Sequence, residues 1–254
     1  MQPLLEGRGL VKHFGQVQAL RGADFTVFPA EVVALIGDNG AGKSTLTKVL
    51  AGTEQPDEGE IRFEGRPVTL ERPTVAQDLG IETVYQDLAL APDLDGAANL
   101  FLGRELLRRG LAGRLGALDK AEMRRRAIEA FARLGVELQD IDAPIGTLSG
   151  GQRQSVAIAR AVAWADKVVF MDEPTAALGV LQRGRVLDVI RRVRDNGIAI
   201  VLISHNMPEV LSVADRVEVL RLGRRVATLT TTDTTVENLV GAMTGALDNA
   251  ETTP

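Results

Sequence analysis

The stretch "VVALIGDNGAGKST", Val32 to Thr45, constrains the fold more than any other part of this 254-residue chain. Its five leading apolar residues, bounded by turn signals, read as a buried strand. Gly37, Asp38, Asn39, Gly40, Ala41 and Gly42 then form a glycine-rich loop. Lys43, Ser44 and Thr45 open "KSTLTKVLAG", which reads as a helix stopped by Gly52. Strand, glycine loop and helix in that order belong to an α/β fold with a parallel sheet. The same residues complete a G-x-x-x-x-G-K-S pattern in its proper strand-to-helix context. Glycines let backbone N–H groups converge on an anion, the helix start adds partial positive charge, and Lys43 neutralises phosphate oxygens. Ser44 offers a hydroxyl to a magnesium ion. The loop is expected to hold a nucleoside triphosphate with magnesium.

Two further motifs narrow the class. "KVVFMDEP" places Asp172 and Glu173 at the C-terminal end of a buried strand, where open α/β sheets bind ligands. Asp172 there reaches the magnesium, usually through water, and Glu173 polarises the attacking water as general base. No N-K-x-D guanine-reading motif occurs, which disfavours a GTPase. In "LSGGQ", Ser149 is a natural N-cap, and Gly150 and Gly151, followed by Gln152, let amides approach an anion. Alone this string reads equally as a glycine-assisted helix cap. Upstream of an apolar strand ending in Asp-Glu, it reads as a second phosphate-binding helix start.

Composition removes other chemistries. The chain has no cysteine and two histidines, His13 and His205, which excludes disulfides, thiolate sites and a His-rich metal centre. A net charge of −5 argues against bulk nucleic-acid binding. Arg124 to Arg126 read as a solvated face. No secretory signal is visible at the start, and no apolar run approaches the roughly 20 residues that span a bilayer, so a cytoplasmic location is expected.

The sequence organises around these motifs. "DFTVF" alternates as a strand, and "GEIRFEGRPV" reads as a hairpin interrupted by Gly65. From about Leu88 to about 165 the chain turns helical and charged. Asp119 and Glu122 have the spacing of a capping box, and Met123, Ala127, Phe131 and Leu134 mark one apolar face. Helices over Gln152–Ala163, Gln182–Asn196 and Pro208–Ala214 alternate with strands Lys167–Met171 and "IAIVLI". A hairpin about Gly223 and a helix over Val236–Ala246 follow, and residues 246–254 form a polar tail. The expected fold is α/β: a P-loop NTPase core with a mostly parallel sheet, an N-terminal antiparallel β subdomain and a helical subdomain over about 88–165, all within one domain over 1–245.

These motifs together resemble the nucleotide-binding subunit of ATP-binding cassette transporters, from about Leu4 to Gly245. The resemblance implies roles for residues that pattern alone leaves bland. Phe14, in "HFGQVQAL", stands where the family places an aromatic that stacks on adenine, commonly Tyr. Gln86, in "VYQD", matches the glutamine that senses the γ-phosphate and magnesium and links to the membrane subunits. His205, in "ISHN", matches the histidine that contacts the γ-phosphate and helps hold the attacking water. One departure is Gly179, in "TAALGV", where the family usually carries an Asp that contacts the partner subunit. That variant, "YQDLALAPDLDGAANLFLGRE" and "PEVLSVADRVEVLRLGRR" are similar to single-copy monosaccharide-importer ATPases.

The family resemblance further implies ATP and Mg2+ as ligands, and a homodimer or a pseudo-dimer with a second cassette subunit. In it, one chain's P-loop and another's LSGGQ close over the same ATP, head to tail. The partners implied are integral membrane permease subunits and, indirectly, an extracytoplasmic substrate-binding protein, with the chain peripheral on the cytoplasmic side of the inner membrane. Competing readings are a cassette ATPase of DNA repair or translation, a nucleotide-binding module without turnover, and an exporter or an importer of another substrate. The first usually carries a coiled-coil insertion or two fused cassettes, which this sequence lacks; intact Glu173 and His205 argue against the second.

Overall fold

A computed structural model describes residues 2–85, 87–176 and 178–246 of the chain. Strands β1 (Leu5–Phe14) and β2 (Val17–Val27) pair antiparallel, and β1 also pairs antiparallel with a third strand further along the chain. Next come β3 (Val32–Ile36), α1 (Lys43–Leu50), β4 (Glu58–Phe63) and β5 (Arg66–Val68). Strand order β2-β1-β4-β5 makes a four-stranded sheet, with the expected hairpin turning at Gly65.

Helix α2 (Pro73–Asp78) and strand β6 (Ile81–Val84) are additions to the sequence reading. The physical reason is that neither carries a clean period. α2 buries only Ala76, and the four residues of β6 include Glu82, buried against Arg104 at 2.6 Å. The helical stretch holds α3 (Gly96–Leu100), α4 (Leu111–Arg114), α5 (Lys120–Leu134) and α6 (Gly150–Trp164). Then follow β7 (Val168–Asp172), α7 (Val180–Asp195), β8 (Ala199–Ile203), α8 (Met207–Val213), β9 (Arg216–Arg221), β10 (Arg224–Thr230) and α9 (Val236–Thr244). α6, α7 and α8 begin one or two residues before the apolar periodicity does, because their caps lie outside the apolar stripe. α9 stops at Thr244, where Gly245 turns left-handed at φ 81°.

The second sheet runs β10-β9-β3-β8-β7-β6, parallel throughout except for the β9–β10 hairpin. All five residues of β3 are buried, as its unbroken apolar run requires of a strand covered on both faces. Val32, Ala34 and Ile36 pack into one core with the helices α5, α6 and α7. Val33 and Leu35 point the other way, into a core shared with β1, β2 and α1. The strand carrying the P-loop is therefore clamped between two cores.

The basic run on α5 is neutralised locally. Arg124 forms a paired contact with Asp142 at 2.8 and 2.9 Å, and Arg125 and Arg126 both reach Glu122. Arg125 and Arg126 hold the Glu122 carboxyl down at about 2. Glu122 is thereby diverted from the reciprocal half of its capping box, so Asp119 caps the helix alone, accepting from the Glu122 amide at 3.2 Å.

Candidate functional site

Four neighbouring parallel strands, β3, β8, β7 and β6, bring their C-terminal ends to one edge of the sheet. The glycine loop follows β3, Glu173 follows β7 and His205 follows β8. Gln86, which comes after β6, lies outside the described residues.

The glycine loop is held by close backbone approach. A Cβ on Gly37 would sit 2.1 Å from the Leu220 carbonyl oxygen, and one on Gly42 would sit 2.6 Å from that of Ala19. Both residues also have positive φ, 152° and 103°. Only glycine satisfies both demands. Within the loop, the Ala41 amide donates to the Asp38 carbonyl at 3.1 Å, and the Ala41 carbonyl accepts from Gly223. Asn39 and Gly40 form its exposed outer turn. The Lys43 ammonium donates to the carbonyls of Gly37 at 2.6 Å and Asp38 at 3.0 Å. Burial pushes the Lys43 pKa down, and Glu173, Asp38 and Asp172 oppose that shift. Helix α1 has neither a side-chain cap nor an acidic residue in its first turn. Its leading amides, with Ser44 and Thr45 among them, present uncompensated positive potential.

Asp172 closes β7. Burial pushes its pKa up, while Lys43 and Lys48 pull it down. Glu173, one residue on, is held at φ 49°, a left-handed conformation that costs a side-chain-bearing residue about 1–3 kcal/mol. Its amide donates to the Ile203 carbonyl at the end of β8, at 2.9 Å, which fixes this conformation against the neighbouring strand. The carboxylate then meets His205: Nδ1 lies 2.7 Å from Oε1. With the carboxylate ionised, this contact calls for a proton on Nδ1, which leaves Nε2 free to face a ligand. Glu173 is 18% exposed and His205 74%, so the carboxylate is sheltered while its histidine partner reaches into solvent.

Ser149 and Gln152 form a complete capping box at the start of α6. The Gln152 amide donates to Ser149 Oγ at 3.3 Å, and the Ser149 amide donates to Gln152 Oε1 at 3.0 Å. A Cβ on Gly151 would stand 2.8 Å from the Gln182 side chain, so Gly151 sets how closely α6 meets α7; Gly150 has room to spare. Among the described residues no hydrogen bond joins Ser149–Gln152 to Lys43, Asp172, Glu173 or His205. Ser149, Gly151 and Gln152 instead line a cleft with Gln182, Arg185 and Arg192, and none of those four residues belongs to it. Phe14, at the end of β1, is 46% exposed with the Lys12 ammonium 5.5 Å from its ring centroid. It is displayed rather than packed.

One positioning group escaped the sequence reading. Glu209, on α8, accepts from the Thr175 hydroxyl at 2.5 Å and from Asn206 Nδ2 at 2.8 Å, and Arg183 lies 3.4 Å away. A single part-buried carboxylate thus ties the segment after Glu173 to the residue after His205 and to α7. The Asn-x-x-Glu spacing of Asn206 and Glu209, a helix-start signature, is the signal that could have found it.

A model of the ABC transporter family matches residues 20–176. Over 96% of this chain and 95% of its own length, the fructose import ATP-binding protein FrcA of Rhizobium meliloti is 53% identical. A xylose/arabinose import ATP-binding protein of Sulfolobus acidocaldarius is 43% identical, with the same coverage. A ribose import ATP-binding protein of Burkholderia pseudomallei is 46% identical over 96% of this chain but only 47% of its own length. Among solved structures, a nucleotide-free ATP-binding cassette from an ABC transporter superposes with a TM-score of 0.76 at 28% identity, covering 96% of both chains. Family model, relatives and fold agree: the chain belongs to the ABC transporter family, as an ATP-binding, ATP-hydrolysing cassette.

Proposed function

We propose that this cassette energises the import of a monosaccharide. The observation that carries the reading is that the two relatives matched nearly end to end, at 53% and 43% identity, are both sugar import ATP-binding proteins. In this reading the chain works as a head-to-tail homodimer, or beside a second cassette subunit, on the cytoplasmic face of permease subunits that an extracytoplasmic binding protein loads. No helix among the described residues is long and apolar enough to cross a membrane, and in this reading permease subunits supply the path.

The residues divide the work as follows. Lys43 and the start of α1 bind the β- and γ-phosphates, and Phe14 stacks on the adenine. Ser44 and Asp172 suit magnesium, a hard cation that takes oxygen ligands and keeps several of its waters, with Gln86 as the third expected ligand. The metal, when bound, neutralises charge developing on the phosphate oxygens. Glu173 accepts the proton of the attacking water, and His205 Nε2 faces the γ-phosphate while Nδ1 holds the base in place. Ser149 to Gln152 of a second copy close the site from the other side. Gly179 caps α7 with extended backbone and open space about its Cα. A carboxylate would therefore fit there, and its absence leaves dimer closure to ATP and the permease.

Asp172 ties stability to function. Its folded pKa lies above the unfolded one. The shift therefore favours the fold only at acid pH, below the unfolded value, and that contribution is lost as pH rises through the folded value. At neutral pH the ionised carboxylate is a cost that magnesium offsets. Asp172→Asn is expected to raise the ligand-free melting temperature while losing the extra stabilisation that Mg-ATP gives over ATP with a chelator. Equal magnesium-dependent shifts in parent and variant would remove Asp172 from the metal site.

The transport reading is tested by uptake. Deleting the gene should abolish import of one monosaccharide from a labelled panel, with recovery from the parent gene and none from Glu173→Gln. Unchanged uptake of every sugar would refute it.

A further inference from the structure

The loop between α3 and α5 is closed at its base by backbone pairing. Leu107 and Leu118 form an antiparallel bridge. The Arg108 amide donates to Ala117 O at 2.9 Å, and the Asp119 amide to Leu106 O at 2.7 Å. Between them α4 makes a single turn, and Gly113 packs so tightly that a Cβ there would lie 1.7 Å from the Arg108 carbonyl oxygen. This is a built prong, closed at its base.

What the prong displays is unusual. Leu107, Leu111 and Leu115 are 55%, 74% and 81% exposed. Arg108, Arg109 and Arg114 stand exposed beside them, and none enters an ion pair among the described residues. That contrasts with Arg124, Arg125 and Arg126, each matched to a carboxylate. No acidic residue occurs from Leu106 to Leu118, although the chain as a whole carries −5. Unpaired arginines alternating with exposed leucines suit a phase boundary: apolar side chains enter among acyl chains while guanidinium groups stay at the phosphates. The root of the prong adds its orientation. Leu102 and Arg104 line a cleft with Tyr85 and Ala89, residues that flank the Gln86 segment.

We infer that the Leu106–Leu118 prong is a membrane-surface contact that seats its leucines and arginines in an anionic lipid bilayer beside the permease. The inference rests on the importer reading for which side of the cassette faces the membrane. Its chemistry needs only the prong.

The test is co-sedimentation of the full chain with vesicles of phosphatidylcholine alone or mixed with phosphatidylglycerol. The parent should partition onto the anionic vesicles only, and less so as salt rises. Each arginine near such a surface is worth about fivefold in binding, so Arg108→Ala/Arg109→Ala/Arg114→Ala together should weaken partitioning on the order of 10²-fold. Leu111→Asp/Leu115→Asp, which removes insertion and adds negative charge, should also abolish it. Both variants should keep the parental melting temperature and ATP hydrolysis rate, so their failure to bind lipid is separable from failure of the cassette. Indifference of the parent to phosphatidylglycerol, or parental partitioning by both variants, overturns the inference. So does binding that appears only on vesicles carrying reconstituted permease, which would make the prong a protein contact.

Discussion

Replacing Glu173 with glutamine should leave ATP binding intact and slow hydrolysis by about 10²–10⁴-fold, the usual cost of losing a general base. The variant keeps the side chain's size, and its amide oxygen can still accept from His205 Nδ1, now 2.7 Å from the carboxylate. What it loses is the capacity to take a proton from water. Because the backbone at Glu173 is fixed by the Ile203 carbonyl, the substitution should not disturb the loop. Hydrolysis arrested after binding should also accumulate a closed dimer, visible by sedimentation with Mg-ATP. Single-turnover phosphate release alongside nucleotide binding separates the two effects. A variant that hydrolyses at near the parental rate would strip Glu173 of its role.

The second large effect concerns the two helix starts, proposed to meet across a dimer. Lys43→Ala removes a charge-assisted contact to phosphate and should weaken ATP binding by about 10- to 100-fold. Ser149→Arg should leave each chain's own ATP binding unchanged and abolish hydrolysis, since it blocks the cap that another copy's nucleotide would meet. Mixed, the two inactive proteins form dimers in which one composite site carries both lesions and the other carries neither. Hydrolysis should then recover in part, in proportion to the mixed dimer. Titrating one variant into the other while following phosphate release makes the measurement. Absence of recovery at every ratio would count against a site shared between two chains, provided one intact site suffices for turnover.

How much of this was legible in the sequence depended on the kind of constraint. Gly37 and Gly42 could be read because positive φ and close backbone approach leave no other residue possible. Strand β3 could be read because burial on both faces demands an unbroken apolar run. The parallel sheet followed from the same order of strand, loop and helix. Contacts between distant segments were harder. The pairing of His205 with Glu173 spans 32 residues, and it exists only because β7 and β8 are neighbours. The Asn206–Glu209 spacing marks a helix start, but Glu209's contacts with Thr175 and Arg183 depend on segments far apart in the chain packing together. β6 was hidden by Glu82, whose burial is offset by Arg104 arriving from a later loop and by Gln77. The arginines of α5 and those of the prong look alike in the sequence. Only the positions of Asp142, Glu122 and Glu129 tell a neutralised face from an unpaired one.

Lys43 carries a consequence for the stoichiometry of binding. Its ammonium is half sheltered among carbonyl oxygens, and burial makes it a weaker base than a free lysine. If Lys43 meets a nucleotide's phosphates as proposed, their negative charge reverses that environment, and the proton on Lys43 is held more tightly in the complex than in the free cassette. ATP binding under alkaline conditions should then take up protons, and affinity should decline as the medium becomes more basic even though the nucleotide itself no longer changes charge. The cradle would in this sense be a three-body equilibrium among protein, nucleotide and hydrogen ion.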